Sequence, residues 1–121
     1  MSIQFTDLDI WKEGLELHIE ISKLVESFPD YEKFSLKTQL LRSSNSVIAN
    51  IAESFGRYSY KDKIRVLYIS RGELEETRSH LIVSMRLGYI SKSQQEPLEN
   101  RYFILLKRLN KYINVLYKNA Y

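Results

Sequence analysis

The fold of this chain is most clearly encoded by residues 42–57, which read RSSNSVIANIAESFGR. Large aliphatic side chains recur in this stretch at spacings of three and four, with serines and alanines between them. Apolar positions at that spacing form one face of an α-helix. Small side chains beside such a face let a neighbouring helix approach closely. We therefore predict a helix that is tightly packed inside a bundle.

The same helical spacing continues on both sides of this stretch and predicts four long helices joined by short loops. Asp7, Ser35, Ser59 and Ser91 are the expected N-caps. Gly88 is the expected C-cap of the third helix, and Pro97 fits the first turn of the fourth. These features predict an all-α, antiparallel up-down-up-down four-helix bundle with residues 1–121 as a single domain. The predicted core rows are Ile10, Gly14, Leu17, Ile21, Leu24 and Phe28; Leu36, Leu40, Ser44, Val47, Ile48, Ile51 and Phe55; Leu67, Ser70, Leu74, Thr77, Leu81 and Ser84; and Leu98, Tyr102, Leu105, Leu109, Tyr112 and Leu116.

The first and third helices each carry a second row of side chains beside the core row. One bundle seam does not need so wide an apolar surface, so either these helices are unusually buried or they face another subunit. We expect self-association, and we expect Gly72 to mark a close helix approach, because glycine inside a helix costs about 1 kcal/mol relative to alanine. The second rows are Leu8, Trp11, Leu15, His18, Ser22 and Val25 in the first helix, and Ile69, Gly72, Glu76, Val83 and Leu87 in the third.

Composition excludes several classes of protein. The chain has 121 residues, no cysteine and a formal net charge of +3. Without cysteine there is no disulfide scaffold, thiol nucleophile or Cys-ligated zinc. No apolar run reaches the roughly 20 residues of a membrane span, and residues 1–9 lack the features of a signal peptide. We expect a cytoplasmic protein without membrane contact, and the mild positive charge is compatible with a polyanionic partner.

The fourth helix has no acidic side chain after Asn100. Its cations project onto one side, opposite the leucine seam, where they could track a phosphate backbone. A solvated helix face is the competing explanation. A third is protein contact, because Ile104 and Val115 lie within the basic arc and the acidic face of the first helix would complement it. The candidate nucleic-acid-binding residues are Arg101, Lys107, Arg108, Lys111 and Lys118, with Arg57 and Lys61 around the second loop.

The polar side of the second helix is unusual in its composition. It carries short amide and hydroxyl groups, whereas a purely solvated face more often carries long Lys and Glu side chains. We favour directional hydrogen bonding across an oligomer interface over a solvated face. The candidate interface residues are Gln39, Arg42, Ser46, Asn50, Glu53 and Arg57, together with Gly72 and Glu76 on the third helix.

Catalysis has the weakest support in the sequence. The two histidines, His18 and His80, both lack a glutamate three positions earlier, so the Glu-x-x-His pattern of di-iron bundles is missing. Glu76 and His80 lie one turn apart, but a single pair does not make a metal site. No phosphate-binding glycine loop or nucleophile elbow is found. We predict no enzymatic activity, no metal and no cofactor.

The motif Asn50-Ile51-Ala52-Glu53, with Gly56-Arg57 following, resembles a family signature. It is similar to the Asn-Ile-Ala-Glu-Gly signature of the four-helix-bundle proteins encoded in intervening sequences of bacterial 23S rRNA genes, also called S23 ribosomal-protein-like. Ser54 replaces the usual glycine, and Glu73 replaces a serine. Further matching positions are Leu36, Gln39, Leu40, Arg42 and Ser46; Leu67, Tyr68, Ile69, Gly72, Leu74 and Glu76; and Leu87, Gly88, Tyr89 and Ile90.

The resemblance implies a bundle that assembles as a ring-shaped homo-oligomer, a pentamer, with no enzymatic activity. It also implies kinship with the accessory variability protein of diversity-generating retroelements, which binds nucleic acid and a reverse transcriptase. The leading functional hypothesis is thus a homo-oligomer that binds nucleic acid, with RNA favoured over DNA as the ligand. A nucleic-acid-processing protein is a further candidate partner. The alternative is an interaction or scaffold module whose charged faces serve assembly. A metal-dependent enzyme is a third, remote hypothesis.

Overall fold

The computed structural model describes residues 2–32 and 35–120 and has no strand within them. Its four α-helices confirm the predicted all-α class. Short 3-10 turns at Phe5–Asp7, Val25–Ser27 and Asp30–Glu32 flank the first helix. The helices are α1 (Asp9–Leu24), α2 (Leu36–Gly56), α3 (Tyr60–Arg86) and α4 (Lys92–Ala120).

Contacts between the helices establish the predicted antiparallel order. Along each neighbouring pair, a later residue of one helix meets an earlier residue of the next, so the chain direction alternates. The contacts that show this are Gly14 with Ile48 and His18 with Ser44 for α1 and α2, Ser43 with Thr77 and Val47 with Ser70 for α2 and α3, and Arg71 with Asn110 and Arg78 with Glu99 for α3 and α4.

The predicted core row of α3 is confirmed at every position, from Leu67 to Ser84, with each side chain fully buried. Two of its small polar members are hydrogen-bonded to α2, and the Ser84 hydroxyl donates to the His80 carbonyl within α3 at 2.7 Å. The Ser70 hydroxyl donates to the Val47 carbonyl at 2.7 Å, and the Thr77 hydroxyl donates to Ser43 Oγ at 2.8 Å. Buried hydroxyls are tolerated when they are hydrogen-bonded. These short side chains therefore let α2 and α3 pack closely without an unpaired polar group.

The other three core rows each differ from the structure at one position. Leu24 and Phe55 are half-buried, while their neighbours Val25 and Ser54 are buried. In α4, Ile113 is buried in place of Tyr112. An α-helix has 3.6 residues per turn, so a strict seven-residue repeat drifts by about 20° per heptad around the helix. After two heptads of α4, the residue that follows Tyr112 has turned towards the core. In α1 a 3-10 turn begins at Val25, and in α2 Ser54 lies seven residues after Val47, on the core side.

The capping predictions were right at three positions. Ser59 Oγ accepts from the Asp62 N–H at 3.1 Å. Ser91 and Gln94 form a reciprocal capping box, with side-chain to backbone distances of 3.1 and 2.8 Å. Gly88 has a φ of +82°, the left-handed conformation that closes a helix and favours glycine.

Other predicted helix ends differ from the structure. The Asp7 carboxylate accepts from the Gln4 N–H in the preceding 3-10 turn, so it does not cap α1. Ser35 lies at the start of α2, but its side chain makes no capping hydrogen bond. Because α4 already begins at Lys92, Pro97 lies inside the helix rather than in its first turn.

Glycine has different roles in α1 and α3. A Cβ atom at Gly14 would lie 2.5 Å from Ile48 Cγ2, so glycine is needed where α1 meets α2. Gly72 is exposed and, beyond its own helical turn, no atom of residues 2–32 or 35–120 lies within 4 Å of a Cβ atom built there. The expected close approach at Gly72 is therefore not made within the subunit.

None of the described helices combines the length and the apolar character that a membrane span requires.

Candidate nucleic-acid interface

The outward side of α4 carries four cations in exposed positions. Lys107, Arg108, Lys111 and Lys118 lie away from the buried seam of Leu105, Leu109 and Leu116. None of the four forms an ion pair with any residue that the structure describes. We call these four residues the basic face. Their charges are available to an anionic ligand without first breaking an internal salt bridge.

Arg101, which the sequence grouped with these cations, has a different environment. Its guanidinium lies 3.2 Å from a Glu13 carboxylate oxygen and 3.3 Å from a Glu20 oxygen, both on α1. Burial disfavours its charge, but the two carboxylates outweigh that effect and raise the pKa of Arg101. The acidic face of α1 therefore meets this edge of α4 inside the same subunit, and Arg101 fixes α1 against α4.

The cations in and next to the α2–α3 loop are also engaged in local contacts. Arg57 pairs with Glu53 one turn earlier and with Asp62 at 3.4 Å. Lys63 Nζ donates to the Phe55 carbonyl at 2.9 Å, where it satisfies a free carbonyl at the end of α2. Lys61 is exposed and lines an open cleft beside Asn119, so the fold brings it near the Lys118 end of the basic face.

The candidate interface residues of α2 are hydrogen-bonded within the subunit. The Arg42 guanidinium donates to Gln39 Oε1, to Glu73 Oε2 at 3.1 Å and to Glu76 Oε2 on α3. Burial, together with the nearby Glu76, raises the pKa of Glu73 despite Arg42. Arg42 thus ties the outer edges of α2 and α3 together.

Further along α2, Asn50 Nδ2 donates to the Ser46 carbonyl at 2.8 Å and to Ser46 Oγ at 3.1 Å. With these bonds and the Glu53–Arg57 pair, the polar side chains on this side of α2 find their partners within α2 or on the neighbouring α3. The structure places the predicted interface residues of α2 and Glu76 along the α2–α3 edge, and Gly72, one turn before Glu76, is exposed on the same side of α3.

His18 makes a hydrogen bond to α2, whereas His80 Nε2 is buried without a hydrogen-bond partner among the described residues. His18 Nδ1 lies 2.7 Å from Ser44 Oγ, and burial lowers the pKa of His18. His80 Nε2 lies 4.0 Å from Glu76 Oε2, and burial is also the main cause that lowers the pKa of His80. Among the described residues, no group of three His, Asp or Glu side chains is placed to hold a metal ion.

Two exposed aromatic rings at the α3 edge of the basic face were missed by the sequence reasoning. Phe103 on α4 is 41% exposed and Tyr68 on α3 is 43% exposed, and each has a cation over its ring. One signal was available: Lys107 follows Phe103 by four residues, and Arg71 follows Tyr68 by three, spacings that place side chains on one helix face.

The fold and this surface define the class of protein: an all-α four-helix bundle with a basic helix face whose cations form no ion pair with the described residues. The family model described as 23S rRNA-intervening sequence protein matches residues 6–111, and the chain belongs to this family. A solved structure from Bacteroides thetaiotaomicron VPI-5482, of a protein with unknown function from the S23 ribosomal protein family, is 30% identical. The match covers 86% of this chain and 97% of that chain, with a TM-score of 0.77. A comparison with curated proteins finds no match.

Proposed function

We propose that this protein is a non-enzymatic RNA-binding protein that acts as a homo-oligomer and contacts RNA through the basic face of α4. The observation that carries the proposal is the contrast between two sets of cations. Arg42, Arg57 and Arg101 are bound to carboxylates of their own subunit. The four cations of the basic face are exposed and have no such partner among the described residues.

The arrangement of the basic face suits a phosphate backbone. Lys107, Lys111 and Lys118 lie along one side of a continuous helix and span about 16 Å at 1.5 Å per residue. Each phosphate that a cation neutralises releases counterions, which is the main source of sequence-independent affinity. The family description, which names 23S rRNA, makes RNA the ligand to test before DNA.

The first prediction is a salt-dependent affinity for RNA. If the four cations of the basic face each neutralise one phosphate of a single strand, the logarithm of the binding constant should fall with the logarithm of salt concentration at a slope of about −3. Fluorescence anisotropy of a labelled, unstructured RNA, measured from about 50 to about 200 mM salt, gives this slope. A DNA of the same sequence measures the preference for RNA. Absence of binding to either at the lowest salt would remove the proposal.

A second candidate function, a self-assembling interaction module, is favoured by the exposed aliphatic row on α3. Ile69, Val83 and Leu87 are 46%, 42% and 56% exposed, and Gly72 lies among them with open space around it. A partner helix would find both apolar area and room for close approach there. In this candidate the partner is a second copy of the chain, and a closed ring of such copies, a pentamer, is the assembly we propose.

The second prediction concerns this row. Light scattering of the wild-type protein at micromolar concentration should give a multiple of the 14.4 kDa chain mass. Ile69→Glu combined with Val83→Glu should shift the mass to that of one chain, because two charges would be buried without partners at the contact. Ile3→Glu, at a site 66% exposed near the start of the chain, is the matched control and should leave the oligomer intact. A monomeric wild-type protein would contradict the assembly.

A further inference from the structure

We propose that the RNA is bound as a single strand, with two of its bases stacked on Phe103 and Tyr68 along the groove between α3 and α4. This inference rests on the proposed RNA binding and specifies the form of the ligand and the residues that select it. It is carried by two cation–aromatic pairs at the edge of the basic face.

The first pair is built around Phe103. Lys107 Nζ lies 4.6 Å from the centre of its ring, and Arg78 Cζ lies 4.8 Å from it. Arg78 is held in place by Glu75 at 2.8 Å and Glu99 at 2.7 Å, which neutralise its charge. Lys107 has no carboxylate partner among the described residues and sits on a flexible side chain. It can leave the ring and contact a phosphate when a base replaces it.

The second pair is Tyr68 and Arg71. The Arg71 guanidinium lies 4.7 Å from the centre of the Tyr68 ring, and its Nη1 donates to Asn110 Oδ1 on α4 at 3.1 Å. Arg71 forms no ion pair with any described carboxylate, so its positive charge is not neutralised. Aromatic rings and guanidinium planes are the two surfaces on which proteins most often stack RNA bases.

The two pairs lie in line along the same groove. Asn110, which contacts Arg71, follows Phe103 by seven residues, so the pairs are about 10 Å apart along α4. Lys107 lies between them and Lys111 lies just beyond Asn110, and both belong to the basic face. One strand could therefore stack its bases in the groove while its phosphates follow the basic face.

This geometry distinguishes single-stranded from double-stranded ligands. In a duplex the flat faces of the bases are covered by their neighbours in the stack, so exposed rings on the protein have nothing to stack against. A duplex would use the basic face alone. A single strand would use the rings as well, and stacking of this kind is tolerant of sequence because every base has a π-face.

The test compares a single-stranded RNA with a duplex of the same length at one salt concentration. Tyr68→Leu combined with Phe103→Leu removes both rings but keeps apolar bulk and leaves every charge in place. Affinity for the single strand should fall by roughly tenfold for each ring. Affinity for the duplex and the salt slope should not change. Tyr68→Phe combined with Phe103→Tyr keeps both rings and should retain single-strand binding.

The outcomes separate this inference from the proposed function. If the wild-type protein binds no nucleic acid, the proposed function fails. If it binds both forms with equal affinity and the leucine variant behaves like the wild type, the stacking inference alone is wrong. If the leucine variant changes the oligomer mass by light scattering, the rings serve assembly and the inference is also wrong. Tyr31→Leu, at an exposed tyrosine in the loop after α1, is the control for loss of an aromatic ring.

Discussion

Reversing the charges of Lys107 and Lys111 together should weaken RNA binding by about 100-fold or more near physiological salt. Two favourable phosphate contacts become two repulsive ones, and each lost contact removes its share of the counterion release. The slope of the logarithm of affinity against the logarithm of salt should become shallower by about 1.4, or about 0.7 for each lysine, on a single strand. Anisotropy titrations of Lys107→Glu/Lys111→Glu at several salt concentrations measure both quantities.

The matched control is Lys12→Glu/Lys23→Glu, which makes the same change in net charge on the outward face of α1. Lys12 and Lys23 are exposed, and neither forms an ion pair with a described residue. If binding depended only on total charge, the two double variants would lose affinity equally. A position-specific site requires the α4 variant to lose far more. Equal losses would refute the basic face as the binding surface, and dissociation of the oligomer in the α4 variant alone would assign these lysines to assembly.

The sequence predicted most of each core row and failed at single positions. The α3 row from Leu67 to Ser84 is correct at every position. The errors are Leu24 and Phe55, in the last turns of α1 and α2, and Tyr112, two turns before the end of α4. A 3-10 turn follows α1 directly, and in α4 the 3.6-residue period departs from the seven-residue repeat. In α2 the predicted row passed the core side of the helix, where Ser54 lies seven residues after Val47.

Candidate site residues were harder to predict because an ion pair depends on tertiary contacts. Helical projection placed Arg101 among the cations of α4, but its partner Glu13 lies 88 residues earlier in the chain. Likewise, Arg42 meets Glu73 and Glu76 across the α2–α3 edge. Such pairings cannot be read from the periodicity of one helix. The sequence predicted Arg101 as a nucleic-acid-binding residue and Arg42 as an oligomer-interface residue, and in the structure both arginines link two helices of one subunit.

The cation–aromatic pairs could be predicted from the sequence only in part. The contact of Lys107 with Phe103 follows from their spacing on one helix, so the sequence could have predicted it. The contact of Arg78 with the same ring joins α3 to α4 and depends on the register of the two helices. Antiparallel order alone does not fix that register. In the structure, the bonds of Arg71 to Asn110 and of Arg78 to Glu99 hold that register.

The largest effect on stability should come from a substitution at Ser70, where α2 and α3 pack closely together. Ser70→Leu should lower the free energy of unfolding by about 3 kcal/mol or more, because it forces a large side chain between α2 and α3 and removes the hydrogen bond to the Val47 carbonyl. Urea unfolding followed by circular dichroism measures the change. Ser79→Leu, at an exposed position of the same helix, is the matched control and should alter stability by less than about 0.5 kcal/mol.

Ser70→Ala separates the two causes within the same experiment. It removes the hydroxyl without adding volume, and the Val47 carbonyl can keep its bond within α2, so the loss should be only about 1 kcal/mol. A large gap between the alanine and leucine variants would show that lack of space, not the hydrogen bond, determines which residue is accepted at this position. If Ser70→Leu were as stable as Ser79→Leu, α2 and α3 would have room to move apart. The groove that holds Phe103 and Tyr68 depends on the position of α3, so its geometry would then not be fixed either.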